Sequence, residues 1–302
     1  MTLERISLAN NSLSLSRLIY GAWRLADDTD SSAAQVRRKI DAALGEGISS
    51  FDHADIYGNY QCEALFGQAL AADPALRQRI ELISKCDIAL VSERFPERRV
   101  KYYDTSAAYI RTSVETSLRH LHTDHLDLLL LHRPDPLMDA AETGAALDAL
   151  IDSGLVRAVG VSNFTPAQWR LLQSAMKHPL VANQIELSVL ERSAFTDGTL
   201  DNLQLDGIQP MAWSPLAGGR LFGDNEVAQR VRPLLKAAAA DYNGRTDLAA
   251  IAWLLRHPAG ILPVVGTNSI ERIQGLAGAM EIEIDRHSWF EIWTAAAGEE
   301  VP

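Results

Sequence analysis

Ile48-Ser49-Ser50-Phe51-Asp52-His53-Ala54-Asp55-Ile56-Tyr57 begins as a short apolar run and turns abruptly into acids and a phenol. The run predicts a strand that ends at Asp52. In a barrel of parallel strands the reactive groups gather at the carboxyl ends of the strands, so an acid in that last position and a tyrosine shortly after it both face the pocket. The same residues also suit an ordinary turn, with Asp52 as a helix cap and Tyr57 as a half-buried aromatic. The flanking segments decide between the two.

Upstream, Ile6, Leu8, Leu13 and Leu15 alternate with polar residues around Asn10-Asn11, the pattern of a hairpin that closes the bottom of a barrel. Leu18 to Tyr20 is a short strand running into Gly21-Ala22-Trp23, and Ser31 to Glu46 carries Val36, Ile40, Ala43 and Leu44 at helical spacing before Gly45 and Gly47 end it. Downstream, a helix from Gln61 to Ala71 precedes a strand from Ile80 to Ser84 that delivers Lys85. A long connection through Phe95-Pro96 to Tyr103 then covers a pocket. Asp104 opens a helix with Ile110, Val114, Leu118 and Leu121 on one face, and the continuous apolar run Leu126 to Leu131 ends at His132, as suits a strand buried on both sides.

The cycle repeats through a helix from Ala140 to Ser153, a strand from Ala158 to Val161 that ends in Ser162-Asn163-Phe164, a helix starting at Pro166, and a strand from Leu180 to Gln184. A short helical stretch from Ser193 to Asn202 precedes a strand from Gln209 to Trp213. A second long segment, Ser214 to Arg245, leads to a helix from Asp247 to His257, a strand from Ile261 to Val265 and a helix from Ser269 to Ala279. Eight alternations predict an α/β fold: a (β/α)8 TIM barrel with an N-terminal β-hairpin cap and an extra C-terminal helix from Asp285 to Ala297. No Gly-x-Gly-x-x-Gly follows the first strand, which counts against a dinucleotide-binding doubly wound sheet.

No Pro/Gly/Ser-rich linker divides the 302 residues, so one domain over 1–302 is expected. A net charge of −11, from 39 acidic and 28 basic side chains, repels nucleic acid and anionic lipid. Cys62 and Cys86 are too few for a disulfide framework, and with no signal core and no membrane-length apolar run the expectation is a cytoplasmic protein.

Taken together, the strand ends offer Asp52 with Tyr57, then Lys85, then His132. Singly each has a plain reading, Lys85 as a surface lysine and His132 as a core histidine. At successive strand ends they make a chemical set. A lysine beside a tyrosine hydroxyl stabilises the phenolate and brings the phenol toward the working pH, an aspartate holds the lysine charged, and a neutral histidine orients a substrate oxygen. Such a set protonates a carbonyl oxygen and contains no obvious nucleophile. A hydride from a reduced nicotinamide fits the remaining need.

At this point Asp52-x-Ala54-x-x-Tyr57-Gly58, Lys85 after an apolar strand, Leu131-His132, the run Gly154 to Phe164, Asn183-Gln184 and Trp213-Ser214-Pro215-Leu216 resemble the aldo-keto reductase superfamily, in its bacterial oxidoreductase branch. The resemblance implies reduction of an aldehyde or ketone with Tyr57 as general acid, Lys85 as its tuner, Asp52 as the lysine's partner and His132 as the carbonyl orienter. It implies NADP(H) as cofactor, with NAD the alternative. Ser162, Asn163 and Gln184 fall where the family holds the carboxamide, and Trp213 falls where an aromatic stacks on the nicotinamide. Ser214, Leu216, Gly218 and Arg220 fall on the loop over the pyrophosphate, and Gly266, Thr267, Asn268 and Arg272 on the adenosine-phosphate site. Trp23 is placed with the cofactor residues and at the barrel mouth. Departures stand at Asn268, where relatives carry Arg or Lys, and at Gly275-Leu276, where they carry Glu-Asn.

On the substrate side, Trp23, His53, Phe95, Tyr102 or Tyr103, and the segment after Arg220 line a pocket for a small carbonyl compound with an apolar body, and Arg133 suits a carboxylate or a structural role. No metal is expected. A metal-dependent hydrolase built on His53, Asp55, His132 and Asp135 would leave Tyr57 and Lys85 without a task. A cofactor-sensing role, as in channel β-subunits that resemble the same superfamily, would call for an added partner segment that is not seen, so an enzyme is expected, and the resemblance implies a monomer.

Overall fold

The computed structural model describes residues 4–8 and 13–302. The N-terminal hairpin pairs β1 (Arg5–Leu8) with β2 (Leu13–Ser16), antiparallel, while the Asn10-Asn11 turn lies outside the described residues. Eight parallel strands then close on themselves: β3 (Ile19–Gly21), β4 (Ser50–Asp52), β5 (Glu81–Cys86), β8 (Leu126–Leu131), β9 (Val156–Ser162), β10 (Leu180–Glu186), β11 (Met211–Trp213) and β12 (Leu262–Val265), with β12 returning to pair with β3. The (β/α)8 barrel is therefore as expected, with its hairpin and C-terminal helix.

Side chains alternate across a strand, so every second residue of a barrel strand points inward. Leu8, Leu13 and Leu15 of the hairpin join Ile19, Ile83, Leu128, Leu130, Ala158, Ala182, Met211, Leu262 and Val264 in one apolar cluster that fills the barrel interior. The hairpin thus plugs the amino end of the barrel. Arg5 fastens it there, donating to Ser49 Oγ at 2.7 Å and Glu81 Oε1 at 2.8 Å. Continuing the same inward parity, β4 ends on Asp52, β5 reaches Lys85, β8 is followed by His132, β9 ends on Ser162, β10 passes through Gln184 and β11 ends on Trp213. Apolar inward positions at one end and polar ones at the other are what place the reactive groups in a single layer.

Four elements depart from the sequence expectation. The connection after Lys85 is no plain loop, because β6 (Ile88–Ala89) and β7 (Tyr102–Tyr103) fold it into an antiparallel ribbon. The next helix starts at Ala107 behind the cap Ser106, with Asp104 Oδ1 accepting from Ser106 N and Oγ one step earlier. Within the segment Ser214 to Arg245 lies a helix, Glu226–Ala238, which accommodates Pro233. It packs beside the C-terminal helix Arg286–Ala297, where Arg230 donates to the Ala295 carbonyl at 2.9 Å. The expected helix from Ser269 to Ala279 breaks into a short turn, Ile270–Ile273, and a 3-10 turn, Leu276–Met280, since Gln274 is extended and Gly275 has φ +100°. Glycine adopts that conformation without a Cβ clash.

Candidate active site

β4 and β5 bring Asp52 and Lys85 side by side in the barrel, 2% and 1% exposed. The Lys85 ammonium donates to Asp52 Oδ2 at 2.6 Å, to the His53 carbonyl at 2.8 Å and to the Tyr57 hydroxyl oxygen at 3.0 Å. Burial works against its charge, but Asp52 and Tyr57 outweigh burial and its pKa is raised. The ammonium is therefore permanent at working pH.

Tyr57 reaches this cluster from a turn that bends back on itself. Gly58, Asn59 and Tyr60 take φ of +58°, +53° and +65°, a strained run for the two non-glycine residues. Gly58 is obligatory, because a Cβ there would lie 2.5 Å from Ala26 Cβ and 2.7 Å from Cys62 Sγ. Tyr60 steadies the turn, its hydroxyl accepting from Leu90 N at 2.9 Å and from Arg98 at 2.8 Å. The Tyr57 phenol differs from expectation in one respect. Burial raises its pKa, and although the charge of Lys85 lowers it, Asp52 adds to the rise and the net direction is upward. The lysine moderates the phenol without overcoming its desolvation.

His132 stands edge-on to Tyr57, with ring centroids 5.9 Å apart. Burial, then the charges of Lys85, Arg133 and Lys101, hold its pKa well below the ordinary histidine value, so the ring is neutral, as anticipated. Its Nδ1 is buried without a hydrogen-bond partner among the described residues.

The neighbouring strand ends form a linked polar rim. Gln184 Nε2 donates to Asp52 Oδ1 at 2.8 Å, Ser162 Oγ to the Gln184 carbonyl at 2.7 Å, and Asn163 Nδ2 to Ser162 Oγ at 2.8 Å and the His132 carbonyl at 3.2 Å. Trp213 Nε1 donates to Asn163 Oδ1 at 2.9 Å. That second contact of Asp52 with Gln184 ties both halves of the barrel to the lysine. Beyond Trp213 the chain takes positive φ at Ser214, Ala217, Gly218 and Gly219, and Arg220 leans on the Ala217 carbonyl at 3.1 Å. Leu216 lies between these residues and packs on the apolar core. Trp23 is 53% exposed, and Arg24 beside it donates to the Gly218 carbonyl at 3.1 Å.

On the far side, Thr267 accepts from the Tyr20 hydroxyl through its carbonyl at 2.9 Å, next to Gly266, which packs against Gly21. Asn268 is committed: Nδ2 donates to the Arg24 carbonyl at 2.6 Å, and Oδ1 accepts from Lys39 at 3.0 Å. The exposed Arg272 guanidinium has no hydrogen-bond or ion-pair partner among the described residues. A cavity of about 450 Å³ opens beside Gly275, rimmed by Glu46, Asp241, Arg245 and Glu281.

One expected pocket residue is elsewhere. His53 is fully buried, its ring 4.5 Å from that of Phe66, because the strand parity that turns Asp52 inward turns His53 outward. Phe95 packs within the ribbon, its ring under the Arg98 guanidinium at 3.7 Å. His53, Asp55, His132 and Asp135 do not converge either. Asp55 accepts from Ser113 Oγ at 2.7 Å and Asp135 from Thr105 Oγ1 at 3.1 Å, and no group of three or more metal-ligating side chains occurs among the described residues.

The same chain compares closely with known proteins. It is 52% identical to a 6-dehydroglucose reductase of Agrobacterium fabrum, covering 99% of this chain and 100% of that one. It is 47% identical to the uncharacterized oxidoreductase YcsN of Bacillus subtilis, covering 99% and 100%, and 46% identical to the oxidoreductase YdhF of Escherichia coli, covering 99% of each. Its fold matches the glycerol dehydrogenase AKR11B4 of Gluconobacter oxydans with a TM-score of 0.85 at 23% identity, over 100% of this chain and 98% of that one, a likeness of fold alone. The family model for the aldo/keto reductase family matches residues 17–296, and this chain, an oxidoreductase, belongs to that family.

Proposed function

We propose that the protein reduces an aldehyde or ketone carbonyl to the alcohol with NADP(H), Tyr57 giving the proton. The observation that carries this reading is the Lys85 ammonium bonded at once to Asp52, the His53 carbonyl and the Tyr57 oxygen. Because Lys85 donates to the phenol oxygen, the phenol's own hydrogen is left for the cleft. Its raised pKa keeps that proton in place until charge develops on the substrate oxygen, and the phenolate formed then lies against a fixed cation. A neutral His132 can donate one hydrogen bond to the same oxygen and so fix the carbonyl's orientation.

The donor set suits a nicotinamide cofactor. Ser162, Asn163 and Gln184 present hydroxyl and amide groups on adjacent strand ends, as a carboxamide requires, and Trp213 offers a flat apolar face. When bound, the cofactor supplies the hydride for the carbonyl carbon. Since Asn268 is spent on Arg24 and Lys39, Arg272 is the guanidinium left for a 2′-phosphate, and the choice of NADP over NAD rests on it.

For the substrate we infer a polyhydroxylated aldehyde of the 6-dehydroglucose type. Relatives at 52% and 38% identity are 6-dehydroglucose reductases. The Arg133 guanidinium, 5.6 Å from the Trp213 ring centroid, has no side-chain hydrogen bond among the described residues and can donate to hydroxyls. The test is a titration of tryptophan fluorescence with NADPH and with NADH, followed by turnover of 6-dehydroglucose read from NADPH absorbance. Saturable quenching by NADPH with steady turnover is expected. Quenching by neither nucleotide, or binding without turnover of any aldehyde, would defeat the reading.

A further inference from the structure

Asp87 stands where the chain leaves β5 for the ribbon, and it is wholly buried. Its φ is +90°, a region that glycine enters freely and an aspartate does not. Its carbonyl accepts from Asp104 N at 2.8 Å, which closes the ribbon's return. A glycine would make that turn at lower cost and would bury no acid. The carboxylate crosses to β8 instead: Arg133 N donates to Oδ1 and Oδ2, each at 3.2 Å, while the adjacent His132 N donates to the Cys86 carbonyl at 2.9 Å. Asp87 thereby prolongs the β5–β8 pairing past the last strand residue, to the peptide that carries His132 and Arg133.

We propose that Asp87 is a positioning residue for the reaction: its carboxylate grips the His132–Arg133 peptide and so sets where the imidazole and the guanidinium stand over the cleft. Burial pushes its carboxyl well above the ordinary carboxylate range, the Arg133 and His132 amides oppose that rise, and Asp55 and Asp135 add to it. The site thus bears both backbone strain and a buried acid for one peptide N–H, that of Arg133, shared between both carboxyl oxygens beside the reacting group. The inference rests on the carbonyl-reductase reading of His132, so its test includes a readout that does not depend on turnover.

Asp87→Gly removes the grip and relieves the backbone, and Asp87→Asn keeps an acceptor oxygen in place. For each, kcat and KM with 4-nitrobenzaldehyde, NADPH affinity by fluorescence quenching, Tm, and the imidazole carbon–proton NMR signal of His132 (assigned by its loss in His132→Gln) would be measured. Asp87→Gly should lower kcat/KM by about 10- to 100-fold, mostly through kcat, with Tm and NADPH affinity unchanged and the His132 signal shifted. Asp87→Asn should stay within about threefold of the parent chain, with the signal in place. A glycine chain that does not fold would also overturn the proposal, since the acid would then hold the fold rather than one peptide. An unchanged rate and signal in Asp87→Gly, an equal loss in Asp87→Asn, or a fall in Tm and NADPH affinity that parallels the rate would each overturn the proposal. If the parent chain neither binds NADPH nor turns over the aldehyde, the reductase reading fails instead, and the His132 signal alone still decides whether Asp87 holds that ring.

Discussion

In the proposed reaction Tyr57 is assigned the one proton needed, and its removal is the sharpest test at the scale of a residue. Tyr57→Phe should lower kcat/KM by about 10²- to 10⁴-fold while NADPH still quenches tryptophan emission. A full rate in that variant would remove Tyr57 from the chemistry. Arg272→Ala should weaken NADPH binding by about tenfold to a hundredfold and leave NADH nearly unchanged, as judged by parallel titrations. An equal loss for both nucleotides would place Arg272 away from a 2′-phosphate. Behind the cluster, burial first, and then the charge of Glu63, raises Asp55 to about 8 against the hydrogen bond from Ser113, and burial raises Glu63 to about 7. The folded state therefore keeps protons that the unfolded chain releases from about pH 4 upward. Stability from these groups is full below that point and is lost as pH rises through about 7 to 8. Asp55→Asn should raise Tm more at pH 8 than at pH 5, and an equal change at both would contradict the assignment. Asp52, Tyr57, Lys85 and His132 were legible because each closes or follows an apolar run. The direction of the Tyr57 shift was not, since it sums desolvation by segments far apart in the chain.

Among the elements, the barrel strands were legible because burial on both faces writes them as unbroken apolar runs, as in Leu126 to Leu131. The helix Glu226–Ala238 was not, because Pro233 within it reads as a breaker, and only contact with the C-terminal helix shows what its apolar face covers. That helix is fixed in turn by Trp289 and Trp253, whose indole N–H groups each donate to the other's carbonyl at 3.1 Å while the rings stack 4.6 Å apart. Helix packing also sets a test. In the helix Cys62–Ala72, a Cβ on Gly67 would lie 1.9 Å from the His120 carbonyl oxygen, so the two helices meet backbone to backbone. Gly67→Ala should destabilise the fold by about 1–3 kcal/mol in urea denaturation, and a neutral result would show that this contact relaxes freely.

For the whole molecule, closure of eight strands around one interior leaves few places where part of the chain can unfold alone, and we expect one cooperative calorimetric transition. Two resolved transitions would argue for separable units within 1–302. No helix among the described residues is long and apolar enough to cross a membrane. What the sequence by itself determined was the order of the eight barrel strands and the identity of the groups at their ends, because apolar periodicity and chain order are local properties. What only the tertiary structure decided was which groups meet. Asp52 and Gln184, far apart in the chain, share a hydrogen bond, His53 turns away from the pocket, and Asp87 reaches across to the peptide after His132. Strand register, inward parity and the energetic cost of burial act through space, and a linear pattern does not encode them residue by residue.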